Sequence, residues 1–182
     1  MTETPNRRQH VRWERAAYHE AGHAVAAASF GCRFGMLTLS LDAESESAIT
    51  GPVQLDLFKC AFPPGQPERL LQVLTILWAG TAAETQFTGR RIAPEMDSDR
   101  KTIDLFVARL IERGVTIPEG WDRRSRLDAH MLLRQPKQGA AVASLATTLL
   151  DEHVIGHFTA RSIIANAMRA PLTVPIRRIS GE

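Results

Sequence analysis

The residues with the most chemistry in them lie close together, in His19-Glu20-Ala21-Gly22-His23. The surroundings read as a helix, and residues four apart share a helix face, so both imidazoles can reach one metal ion. Two nitrogen ligands suit zinc, and a carboxylate beside a zinc-bound water suits hydrolysis. The competing reading is a surface helix carrying a histidine pair and a solvated glutamate. The neighbours favour burial: Ala21, Gly22, Ala24, Val25, Ala26, Ala27 and Ala28 are small or apolar and would let another helix approach closely. Gly22 costs the helix about 1 kcal/mol relative to alanine, which suggests that room near the metal is worth that cost. Gly31 reads as the helix stop.

A catalytic zinc takes three protein ligands and one water. The remaining histidines are His10, His130, His153 and His157. Asp99 is a geometric candidate, because it lies on the face of Ile103, Phe106 and Leu110. An unpaired carboxylate pointing inward is expensive there, and a metal would relieve that cost. An acid in a first helical turn, favoured by the helix dipole, explains Asp99 as well. Asp97 precedes the same helix. Glu84 falls on the face of Leu70, Leu74, Leu77 and Thr81, where it could hydrogen-bond a ligand histidine or simply emerge at the helix end. His153 and His157 are also four apart. Their glutamate precedes the pair and no third ligand is evident, so they read as packing or surface histidines.

The elements that must position these groups follow from periodicity. Residues 1–10 read as a loose arm and residues 11–170 as one domain, with an irregular tail over 171–182. A helix over about 11–30 carries the motif. Met36 to Leu41 alternates as a strand, Asp42 to Ser47 turns, and Ala48 to Leu57 is a second strand, together a hairpin. Phe62 to Gly65 is a loop. Pro67 to Phe87 is apolar nearly all round, the mark of a central helix. After a loop over Gly89 to Pro94, Asp97 or Ser98 caps a helix ending near Gly114. Further helices are expected over 120–134, 138–155 and 158–170. The fold class is α+β, mostly α-helical, with a small antiparallel hairpin.

At 182 residues and 44% hydrophobic, the chain can bury a core. A net charge of +2, from 22 basic and 20 acidic residues, gives no reason to expect nucleic-acid binding. Cys32 and Cys60, without a C-x-x-C pair, imply neither a disulfide framework nor a cysteine zinc site, and point to a reducing compartment. The polar N-terminus is not a signal peptide, and the longest apolar run, Leu70 to Ala83, is too short and mixed to span a bilayer. A cytoplasmic protein without membrane association is expected.

Three segments together resemble the peptidase domain of the FtsH-type ATP-dependent zinc metalloproteases. They are Ala17-Tyr18-His19-Glu20-Ala21-Gly22-His23-Ala24, then Ala79-Gly80-Thr81-Ala82-Ala83-Glu84 followed by Gly89, then Asp97-Ser98-Asp99 opening a helix. The resemblance covers roughly residues 11 to 115 and implies a zincin-like metallopeptidase domain. It implies that His19, His23 and Asp99 hold Zn2+, that Glu20 is the general base, and that Glu84 supports a ligand. It also implies that the hairpin of residues 36–57 presents an edge strand to an extended peptide. Thr81 stands where the family has a longer polar residue. No segment resembles the family's ATPase module, so a stand-alone zinc endopeptidase is expected. Its substrate would be an unstructured polypeptide, or a chain delivered by a separate ATPase or chaperone. The family assembles as hexamers, which makes a homo-oligomer a further expectation. The alternative is a catalytically silent module that keeps the peptidase fold and the zinc site.

Overall fold

The apolar stretch at residues 67–88 forms the helix around which the others are arranged. The computed structural model describes residues 7–41, 48–51, 67–89 and 98–171. Its elements are α1 (Arg7–Ser29), β1 (Leu37–Leu41), β2 (Ala48–Gly51), α2 (Pro67–Thr88), α3 (Ser98–Glu112), α4 (Trp121–Arg134), α5 (Pro136–Glu152), β3 (Val154–Ile155) and α6 (His157–Arg169). The protein is mostly helical with a small antiparallel sheet. Helix α2 packs against α1, α3 and α4, as a helix without a polar face must. Leu74, Ile76 and Trp78 on it are fully or almost fully buried. Each aliphatic side chain so buried contributes about 1.5–3 kcal/mol of transfer free energy.

Helix α1 lies so close to α2 that a Cβ on Gly22 would sit 2.4 Å from the Ala79 carbonyl oxygen and 2.7 Å from the Ala83 Cβ. The small residues of the motif are therefore spent on helix–helix contact. Room beside the two imidazoles, the purpose the sequence suggested for Gly22, is provided by a different glycine, Gly80. Helix α1 ends as expected at Gly31: Cys32 N–H donates to the Ala27 carbonyl at 2.8 Å and Gly31 N–H to Ala28 at 3.1 Å. It begins at Arg7 rather than near residue 11, so residues 7–10 of the expected arm are helical.

The hairpin pairs Thr38 with Gly51 and Leu41 with Ala48. Leu37 and Leu39 are buried while Thr38 is not, the alternation of a half-buried strand. A third strand was not anticipated. The helix expected over 138–155 stops at Glu152, because His153 takes a left-handed conformation (φ 61°) and its N–H caps the Leu149 carbonyl at 2.9 Å. Val154 and Ile155, both β-branched and better suited to a strand, then pair antiparallel with Thr38 and Leu37. The sheet order is β2-β1-β3, so β1 is flanked on both sides at Thr38 and β2 is the outer strand of the hairpin. Residues 52–57 of the expected second strand, the loop Phe62 to Gly65, the loop after Gly89, Asp97 and the tail from residue 172 lie outside the described residues. Among the described residues, no helix is long and apolar enough to cross a membrane.

Candidate metal centre

Helix continuity through residues 19–23 places both imidazoles on the side of α1 that meets α2. Their side chains are almost fully buried, each residue 6% exposed. His23 Nε2 lies 3.2 Å from His19 Nε2. The first turn of α3 brings in the third group: Asp99 Oδ1 is 3.3 Å from His19 Nε2, and its Oδ2 is 3.3 Å from His23 Nε2. Among the described residues, His19, His23 and Asp99 are the one histidine, cysteine and acid cluster whose ligand atoms converge closely enough for a metal.

The donor set fits a zinc ion. With bonds of about 2.0–2.1 Å, two ligands of a tetrahedral site lie about 3.3 Å apart, close to the three separations found here. The rings are also oriented for it. The His23 Nδ1–H donates to the Ile76 carbonyl at 2.8 Å, which turns the Nε2 lone pair toward Asp99. His19 Nδ1 faces Glu84 Oε2 at 3.6 Å, an electrostatic contact longer than a hydrogen bond. Glu84 is itself held by Arg15, whose Nε donates to Oε1. Each of the two histidines thus has an acceptor facing its Nδ1, as metal-bound histidines usually do.

Gly80 provides the space. A Cβ there would lie 2.4 Å from His23 Nε2 and 2.7 Å from His19 Nε2, closer than non-bonded atoms approach. Any larger residue at position 80 would crowd both nitrogens. Thr81, the next residue, donates to Asp99 Oδ2 at 3.4 Å.

Without a metal, the cluster behaves as an ion-pair network. Burial opposes a charge on either ring. The Asp99 carboxylate outweighs it, by charge and by hydrogen bonding, with additions from Glu84 on His19 and from Glu20 on both rings. His19 is therefore raised well above the ordinary imidazole value, and His23 is raised, less so because His19 repels it. Burial likewise opposes ionisation of Asp99, but the two imidazolium charges hold its carboxyl far below the usual range. Glu84 is lowered against burial by His19 and Arg15. Glu20 is 1% exposed and lies near enough for its charge to act on both rings.

The other histidines fall elsewhere. His10 faces solvent and pairs with Glu14 at 3.1 Å. The His153 ring stands edge-on to Trp13 at 4.6 Å, and the His157 ring lies 3.8 Å from Phe158. His153 is exposed and His157 half-buried, the packing or surface roles that the sequence suggested. Four supporting groups were missed in the sequence: Arg15, Gly80, Thr81 as a partner of Asp99, and the Ile76 carbonyl. Arg15 had a signal, since it is four residues before His19 on the same helix face. Gly80, a glycine inside a strongly apolar helix, had another. The Ile76 carbonyl had none. Neither a protein-family model nor a curated protein sequence matches this chain.

Proposed function

We propose that this protein is a zinc-dependent endopeptidase with a zincin-like centre, acting on unstructured polypeptide. The observation that carries the reading is the paired orientation of the imidazoles. Both Nδ1 atoms face acceptors, and both Nε2 atoms face Asp99 across a gap that Gly80 keeps open. His19, His23 and Asp99 would hold the ion. Bound there, zinc supplies Lewis-acid polarisation and a lowered pKa for coordinated water.

The chain's own residues do the rest. Glu20 accepts a proton from the attacking water and returns it to the departing amine nitrogen as the C–N bond breaks. Glu84 and the Ile76 carbonyl keep the rings from rotating, so their Nε2 lone pairs stay aimed at one point. An extended peptide would align along the outer edge of β2 through backbone hydrogen bonds. Folded substrates would need a separate ATPase or chaperone to present them. Self-association would be a separate property of the surface.

The test is a metal analysis and a casein-cleavage assay on the parent and on Glu20→Gln. The expected result is about one zinc per chain in both proteins, with cleavage reduced by roughly 10^2–10^4-fold in the variant. Cleavage by Glu20→Gln at the parental rate would remove the mechanism. The depth of the site favours a second reading, a zinc-holding binding module: Glu20 is 1% exposed and each histidine 6%. A parent that holds zinc but cleaves no peptide would establish that reading.

A further inference from the structure

We propose that Arg100, Asp122, Arg126 and Trp78 form a clamp that positions Asp99 against the two imidazoles. The inference rests on the metal-centre reading above. Asp99 is the second residue of α3, so its carboxylate is placed only as well as the start of that helix is placed. Arg100 follows it and points about 100° further round the helix. Its Nε lies 3.0 Å from both carboxylate oxygens of Asp104, and its Nη1 lies 3.4 Å from Asp122 Oδ1 on α4. The other Asp122 oxygen pairs with Arg126. The two guanidinium groups also share one ring: Arg126 Cζ is 4.8 Å and Arg100 Cζ 5.9 Å from the Trp78 centroid.

The indole belongs to α2 and is 1% exposed, so it cannot yield. The same helix carries Ile76, Gly80, Thr81 and Glu84, which orient the histidines and touch Asp99. Trp78 lies about 200° round α2 from Gly80 but only about 60° from Thr81, so the clamp grips α2 beside the residue that touches Asp99 and away from the glycine that faces the rings. The start of α3 is thus tied to the helix that aims the imidazoles through Asp99, which meets Thr81, and through Arg100, which lies over Trp78. An acid brought from a separate helix needs such a reference, because carboxylate placement sets whether three donors converge.

The experiment measures zinc affinity by competition with a chromogenic chelator, and the visible absorption of the Co2+-substituted protein. Arg100→Ala and Asp122→Asn should weaken zinc by roughly 10–100-fold, the usual effect of losing a group that orients a ligand. Both should also shift the Co2+ bands as the carboxylate detaches. Arg100→Lys should recover part of the affinity, since it keeps the charge toward Asp122 but loses the planar fork. Arg124→Ala removes a surface pair with Asp128 on the same α4 and should leave both readouts at parental values. A merely structural tether would lower the melting temperature of the metal-free Arg100→Ala and Asp122→Asn proteins and leave zinc affinity and Co2+ bands unchanged. That result would overturn the clamp, provided Asp99→Ala loses zinc. Zinc retained by Asp99→Ala would overturn the centre itself, and the clamp with it.

Discussion

Two histidine pairs with the same four-residue spacing have opposite fates in this chain. His19 and His23 lie within one unbroken helix and converge on an aspartate. His153 is the left-handed residue that ends α5, a short strand separates it from His157, and their rings turn to Trp13 and Phe158. Spacing places two rings on one face only where the helix runs through both positions. Convergence also needs a third group, supplied here by α3 from 76 residues beyond His23.

The largest effects should separate these pairs outright. His19→Ala, His23→Ala and Asp99→Ala should each lose stoichiometric zinc, by more than the ~10–100-fold that a supporting residue costs. His153→Ala and His157→Ala should retain it, as measured by metal content after dialysis. Zinc lost from the second pair and kept by the first would reverse the comparison.

The glycines of the two contacting helices sharpen it. Gly80→Ala should keep its helix, since alanine is favoured by about 1 kcal/mol, yet block zinc, because its Cβ falls 2.4 Å from His23 Nε2. Gly22→Ala should instead lower stability by about 1–3 kcal/mol through overpacking against the Ala79 carbonyl. Circular dichroism melts and metal content, read together, distinguish blocking from unfolding. If Gly80→Ala binds zinc normally, the gap has no bearing on the metal.

A smaller effect is expected behind the ligand. Glu84→Gln removes the charge facing His19 Nδ1 and should weaken zinc by roughly 10–100-fold without abolishing it. Unchanged affinity in a chelator competition would reduce Glu84 to a partner of Arg15.

The smallest effect is in pH. The raised imidazoles of the metal-free protein contribute stability that is complete below their unfolded value of 6.5 and lost as pH rises through their higher folded values. Asp99 and Glu84 are depressed from 3.8 and 4.5, so their contribution is complete above those values and lost as pH falls through the lower folded ones. The melting temperature of the chelator-treated protein should therefore peak between about 4.5 and 6.5. Zinc competes with the same protons, so its affinity should rise with pH through the imidazole titration. A metal-free melting temperature that climbs steadily from pH 6 to about 9 would contradict the ion-pair network.

Periodicity carried much of the architecture. Helices α1, α2, α3, α4 and α6 and the hairpin lie close to where apolar spacing and stop residues put them, because those signals act within one or two turns. The break at His153 was hidden, since residues other than glycine adopt the left-handed conformation only uncommonly and β1, which pairs with Val154 and Ile155, is more than 100 residues upstream. Gly22 was recognised as a cost, but its purpose was misread, because the chain does not say which helix will lie against it.

Local order by itself determined that His19, Glu20 and His23 share a helix, since that follows from 3.6 residues per turn. It also placed an acid at the start of α3, where Asp99 could face inward or merely complement the helix dipole. Only the packing of α1 and α3 against α2 decided between these. It brought the Asp99 carboxylate to 3.3 Å from each ring and put the Ile76 carbonyl behind His23. It also put Gly80 where any side chain would fill the gap. Convergence is a property of helices crossing in space, and contacts between groups distant in the chain are set by which surfaces must leave water together.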